Sequence, residues 1–220
     1  MLLFRKSVDL NAYLNEQRRQ GISIGFVPTM GALHAGHISL IEQSREEAGI
    51  TVSSIFVNPT QFNDSKDFEK YPVTTDSDIN QLEATGCDVL FLPAVREIYP
   101  QGTSHLEHYE LGYLETILEG KFRPGHFQGV CQVVERLLKM VQPHFLFLGQ
   151  KDYQQCMVIK KMMVDLNIKT TLHIVPTQRE ANGLAMSSRN QRLNENARIK
   201  ATAIFKALSF VKEKISCHCS

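Results

Sequence analysis

Two hydrophobic rhythms take turns along this chain. Short apolar, β-branched runs at 22–27, 51–57, 88–92, 145–148 and 171–175 read as buried strands. Between them, stretches near 37–48, 75–85, 127–141 and 152–166 carry apolar residues at helical spacing. In the first of these, Ile38, Leu40, Ile41 and Ala48 share one face and Glu42, Arg45 and Glu46 the other. Strand and helix in alternation predict an α/β fold, a doubly wound, Rossmann-like parallel sheet with helices on both faces. Pro28 is expected to end the first strand. From Asn194, a candidate N-cap, to about Ile215 the pattern becomes one long helix with Ile199, Ala203, Ile204, Leu208 and Val211 along one face. A boundary near 176–183 divides the chain into an expected nucleotide-binding domain, 1–176, and a shortened C-terminal unit, 177–220.

Sheets of this kind bind ligands beyond the carboxyl ends of their strands. The segment Met30-Gly31-Ala32-Leu33-His34-Ala35-Gly36-His37 lies at such an end, between the first predicted strand and its helix. Gly31 and Gly36 permit close backbone approach. His34 and His37 straddle the loop and the first helical turn, so both imidazoles can face whatever the unpaired N–H groups of that turn bind. A phosphate suits that place. A metal does not, because the H-x-x-H pair lacks both an H-E-x-x-H frame and a third ligand nearby. Three further segments follow strand ends: Asn58-Pro59-Thr60-Gln61, Gly149-Gln150-Lys151-Asp152 and the chain after Pro176. In the last, Met186-Ser187-Ser188-Arg189 offers two hydroxyls and a guanidinium, groups able to hold outer phosphates; taken alone it reads as a solvated loop.

Composition narrows the class. With 220 residues, 43% hydrophobic and 21% charged, the chain can bury one good core. A net charge of +1 points to neither a nucleic acid nor a membrane surface as partner, so any anion recognition must be local. No apolar run approaches the roughly 18 residues of a membrane span, and Arg5, Lys6 and Asp9 interrupt the N-terminus where a signal peptide would need an apolar core. A cytoplasmic protein with reduced thiols is expected from its five cysteines, which form no C-x-x-C pair. Cys217-His218-Cys219 cannot readily supply three corners of a metal tetrahedron.

Several blocks together resemble pantothenate synthetase, within the H-x-G-H nucleotidyltransferase superfamily. They are Phe26–His37, Phe56-Val57-Asn58-Pro59-Thr60-Gln61-Phe62, Phe122-Arg123-Pro124-Gly125-His126-Phe127, Gly149–Gln155 and Arg179–Asn190, in the family's order across residues 26–190. The resemblance implies a two-step ligation. ATP and pantoate give pantoyl adenylate and pyrophosphate, and the amine of β-alanine then displaces AMP to give pantothenate.

Carried onto this chain, the resemblance implies an ATP site made by Met30, Gly31, Ala32, Leu33, His34, Ala35, Gly36, His37, Gly149, Gln150, Lys151, Asp152, Gln178, Met186, Ser187, Ser188 and Arg189. His37, His34 and Lys151 are the implied catalytic residues, with His37 donating a proton or stabilising charge. Gln61 and Gln155 would hold pantoate, and Gln61 would also touch β-alanine. Glutamine amides donate and accept, which suits a substrate with hydroxyls and a carboxylate. His126 reads as structural, Arg123 as a phosphate contact or a turn cap, and Glu119 and Tyr71 as pocket walls. Mg²⁺ is implied by ATP, with Asp152 or Asp78 as candidate contacts, its metal ligands otherwise unknown. A homodimer is implied as well. In the family the chain continues past this helix into a small α/β domain that closes over the site, whereas 31 residues follow Arg189 here. That difference implies a threat to protection of the adenylate more than to its formation. Two alternatives stay open: an adenylation-only or non-catalytic remnant, and a related transferase acting on a phosphate acceptor.

Overall fold

The structure, a computed structural model, describes residues 1–62, 65–104 and 106–218, without the side chains of 65, 66, 217 and 218. The Cys217-His218-Cys219 run therefore lies outside the described side chains.

Six strands, β1 (Leu2–Phe4), β2 (Ile24–Thr29), β3 (Ile50–Ile55), β4 (Val89–Phe91), β5 (Phe145–Gly149) and β6 (Thr171–Val175), form one sheet in the order β1-β4-β3-β2-β5-β6. Every pairing is parallel. The helices are α1 (Ser7–Arg19), α2 (Ala35–Glu47), α3 (Ser65–Glu69), α4 (Thr75–Thr85), α5 (Val95–Ile98), α6 (Leu118–Phe122), α7 (His126–Val141), α8 (Tyr153–Asp165) and α9 (Glu195–His218). One core cluster joins the sheet to α1, α7 and α8 through Leu10, Leu14, Phe127, Val134 and Ile159. The other joins it to α2 and α4 through Leu40, Ile41 and Leu82. Both faces are covered, as the alternating pattern requires.

Two departures from the sequence reading are informative. Leu10 and Leu14 are the only fully buried positions of α1, too sparse a stripe to announce a helix, and β1 has only three residues. Pro28 does not end β2; the strand runs on to Thr29, paired with β3 along its whole length. The pairing with β5 stops at Phe26 opposite Leu146. Pro28 lies beyond it, where its missing N–H breaks no ladder bond.

That same early stop opens the sheet. From β2 the chain moves through β3 to β4 on one side, then returns to β5 and β6 on the other. The order therefore reverses between β2 and β5, and their carboxyl ends part just there, leaving a crevice at the topological switch point.

Candidate active site

A cleft of about 200 Å³ fills this crevice, lined from β2 and its loop by Pro28, Met30, His34 and His37, and from β5 and its turn by Gly149, Lys151 and Asp152. Gln61, Gln155, Gln178 and Met186 complete the polar rim. Val130, Val133, Val134 and Leu137 of α7 make an apolar wall.

The histidine loop is held by its own groups. His34 caps α2: its Nδ1 accepts from Gly36 N at 3.1 Å, and His37 Nδ1 reaches back to accept from His34 N at 3.3 Å. This is a capping box built from imidazoles. A ring nitrogen that accepts carries no proton, so both rings are protonated on Nε2, the nitrogen left to a ligand. The rings stack with centroids 4.0 Å apart. Burial, the neighbouring His34 and then Lys151 push His37 down to about 3, and burial and Lys151 lower His34. Both histidines are thus neutral N–H donors at neutral pH.

The loop just before the helix spends its own backbone donors inside the protein. Asp78, 1% exposed, accepts from Ala32 N at 2.9 Å and Leu33 N at 2.8 Å, with Thr74 Oγ1 donating at 3.1 Å. Gly31 N donates to Thr29 Oγ1 at 3.2 Å. Gly31 and Ala32 both have positive φ, +80° and +49°, and the successive N–H groups of Ala32 and Leu33 turn toward one anion. That anion is the protein's own carboxylate, 46 residues away in sequence. Asp78 is consequently no ligand for Mg²⁺ in this geometry.

Gln61 ends a 3₁₀ turn, Pro59–Gln61, after β3. Its Oε1 accepts from Asn58 Nδ2 at 3.3 Å, and its Nε2 lies 3.0 Å from Met30 Sδ. Asn58, buried and on the cleft, is itself oriented by Tyr99 OH, which donates to Oδ1 at 2.7 Å. Gly129 of α7 lets the turn sit this close: a Cβ there would lie 2.3 Å from Thr60 O and 2.7 Å from Gln61 Cα.

Other expected residues are distributed differently. Tyr71 lines the cleft and Glu119 does not. Gly31 lines a smaller neighbouring pocket, and Ala32, Leu33, Ala35 and Gln150 are absent from the cleft wall. Ser187 Oγ accepts from Arg189 N at 3.2 Å, and Arg189 pairs with Asp67 at 3.2 Å, so neither Ser187, Ser188 nor Arg189 lines the cleft in this arrangement. Arg123 contacts Glu119 Oε1 at 2.6 Å and His126 at 3.1 Å rather than the cleft. Asn58 was flagged from sequence only within its strand-end segment, without a role, and the valines of α7 were not singled out. The valines' spacing of three and four residues was the available signal for the wall.

Comparison with known proteins places this geometry in a lineage. The profile described as Pantoate-beta-alanine ligase matches residues 2–219. The chain is 48% identical over 206 residues to the pantothenate synthetase of Cytophaga hutchinsonii, covering 94% of this chain and 72% of that one. With the Herpetosiphon aurantiacus pantothenate synthetase it shares 50% identity over 192 residues, 87% of this chain and 69% of the other. Among solved structures, pantothenate synthetase from Thermus thermophilus superposes with a TM-score of 0.92 at 42% identity, covering 99% of this chain and 77% of that one. Pantoate-beta-alanine ligase from Francisella tularensis, complexed with beta-gamma ATP and beta-alanine, gives 0.88 at 44% identity, over 95% and 79% of the two chains. The chain belongs to the pantoate–β-alanine ligase family.

Proposed function

We propose that this protein is a pantothenate synthetase that joins pantoate to β-alanine at the expense of ATP, through pantoyl adenylate. The observation that carries the reading is the convergence, in one cleft, of two Nε2–H imidazoles and Lys151 with the amides of Gln61 and Gln155 beside an apolar wall. Pantoate carries a carboxylate, two hydroxyls and a geminal dimethyl group. The amides answer the first two and the valine wall the third.

In the first step the pantoate carboxylate attacks the α-phosphorus of ATP, the bond to the β-phosphate oxygen breaks and pyrophosphate departs. Negative charge grows on the phosphate oxygens. His34 and His37 Nε2–H and Lys151 Nζ are fixed donors suited to it, and one such donor is worth about 3 kcal/mol in the transition state. In the second step the β-alanine amine attacks the acyl carbon and AMP leaves. No side chain needs to become a covalent nucleophile, because pantoate brings its own. Gly149 and Asp152 are assigned to the ribose, and Gln178, Met186 and the segment to Arg189 to the rest of ATP. Residues 177–220 are read as the unit that brings Met186 to this side.

Among the described residues no cluster of three His, Cys, Asp or Glu could hold a metal. Among the described residues Asp152 is the one carboxylate on the cleft wall, so a Mg²⁺ ion fits here as a companion of the phosphates that neutralises their charge and keeps its waters. No described helix is long and apolar enough to cross a membrane. Family resemblance supports a cytoplasmic homodimer.

Mass spectrometry of products from ATP, pantoate and β-alanine, with the wild type beside His37→Ala, tests the reading. Pantothenate and AMP are expected from the wild type, with about 10²–10³-fold slower turnover in the variant. Equal rates in the two proteins, or turnover of a phosphorylated acceptor in place of pantoate, would overturn it.

A further inference from the structure

Behind Gln61, off the cleft wall, stands a third histidine whose proton is placed oppositely to those of His34 and His37. His126, at the start of α7, is 4% exposed. Its Nε2 lies 3.1 Å from Arg123 Nη1. A guanidinium can only donate, so Nε2 must accept and the proton must sit on Nδ1. Nδ1 is 2.8 Å from the Gln61 carbonyl oxygen, to which it therefore donates. Arg123 is in turn drawn onto this ring by Glu119 Oε1, 2.6 Å from its Nη1, and its Nη2 lies 3.4 Å from the same Gln61 carbonyl.

We infer that Glu119, Arg123 and His126 form a one-way hydrogen-bond relay that fixes the backbone of Gln61, making His126 a positioning residue for pantoate. The relay is directional because Arg123 has no acceptor and Glu119 no proton. The Gln61 carbonyl always meets an N–H. Asn58 Nδ2 ties the start of the turn to Gly129 O of α7 and meets the Gln61 amide, and the Gln61 carbonyl at the end of the turn is left to His126 and Arg123. None of the three relay residues lines the cleft, and the side chains of Arg123 and His126 reach it through the Gln61 carbonyl.

The inference rests on the proposed role of Gln61 toward pantoate, and the two can fail separately. Steady-state kinetics of pyrophosphate release is measured for the wild type, His126→Ala, His126→Asn and Arg123→Met, varying pantoate and ATP in turn. If the wild type shows no pantoate-dependent release, the functional reading fails first. If it does, His126→Ala and Arg123→Met should raise KM for pantoate at least tenfold and leave KM for ATP within twofold. His126→Asn keeps an N–H where Nδ1 stood and should recover most of the loss, which a loss of bulk alone would not predict. Ring nitrogen NMR provides a second readout on folded protein: His126 should be the Nδ1–H tautomer in the wild type, with Nδ1 protonated toward the Gln61 carbonyl. Pantoate and ATP constants that rise together, no rescue by asparagine, or an Nε2–H tautomer of His126 in the wild type would each overturn the relay.

Discussion

Replacing Gly129 by alanine isolates the fit between α7 and the turn that carries Gln61. The added Cβ would lie 2.3 Å from Thr60 O, where ordinary contact begins near 3.4 Å, so the two backbones must separate by about 1 Å. Rotation of a side chain cannot relieve this, because the atoms met are the carbonyl of Thr60 and Cα of Gln61. Alanine in a helix interior returns about 1 kcal/mol of propensity relative to glycine. Overpacking costs about 1–3 kcal/mol, so the net loss of stability is only about 0–2 kcal/mol, a few degrees in Tm for a chain of this size. Displacement of a substrate-positioning group by about 1 Å costs about 10²-fold in rate. Gly129→Ala should therefore stay folded, melt within a few degrees of the wild type and lose about a hundredfold in kcat/KM for pantoate. Thermal melts and pantoate-dependent pyrophosphate release on the same preparation test it. A variant with kcat/KM within threefold of wild type would refute the claim that α7 sets the position of Gln61.

Two further outcomes follow from the histidine loop. His37 is held near 3 by burial, whereas in the unfolded chain it takes its proton near 6.5, so its contribution to stability is complete above 6.5 and drains as pH falls toward 3. His37→Gln should flatten the acid limb of Tm against pH between 7 and 4, by less than about 1.4 kcal/mol per pH unit given its partial exposure to the cleft; parallel curves for the two proteins would exclude His37 as the source. Asp78→Ala should lose about 2–5 kcal/mol, measured as a fall in the urea midpoint, because it strands the buried N–H groups of Ala32 and Leu33. A loss under about 1 kcal/mol would mean that water or a local shift satisfies both.

What the sequence disclosed and what it withheld divide along the range of the interaction. Alternating rhythms located five of the six strands, and strand ends located the histidine loop, Gln61, Gly149 and Lys151, because periodicity and turn chemistry are local. The partners that orient those groups come from far along the chain. Asp78 reaches a loop 46 residues earlier, His126 a carbonyl 65 residues earlier, and Gly129 matters only because Thr60 passes over it. No local pattern marks an aspartate in the first turn of a helix as a backbone anchor rather than a helix-start charge, or a glycine as a contact point rather than a weak spot. Pro28 misled for the converse reason: its local meaning is to end a strand, and tertiary geometry overrode it where the strand had lost one neighbour.

The occupied loop changes how this site can work. An empty helix N-terminus would offer backbone donors and a partial positive charge to any phosphate, bound at rest or in reaction. Here Asp78 takes the N–H groups of Ala32 and Leu33, in the loop just before that helix, and sets a negative charge behind them, while His34 and His37 present two neutral imidazoles. Lys151 is the one permanent cation on the cleft wall among the described residues, and Asp152 stands 3.4 Å from it. Directional N–H donors gain most where negative charge accumulates on an oxygen they already face, which is the α-phosphate during attack by the carboxylate. By filling the nest that precedes the helix, the loop withholds two N–H groups from a resting phosphate, and an interaction stronger in the transition state than in the ground state is the only kind that accelerates the chemical step.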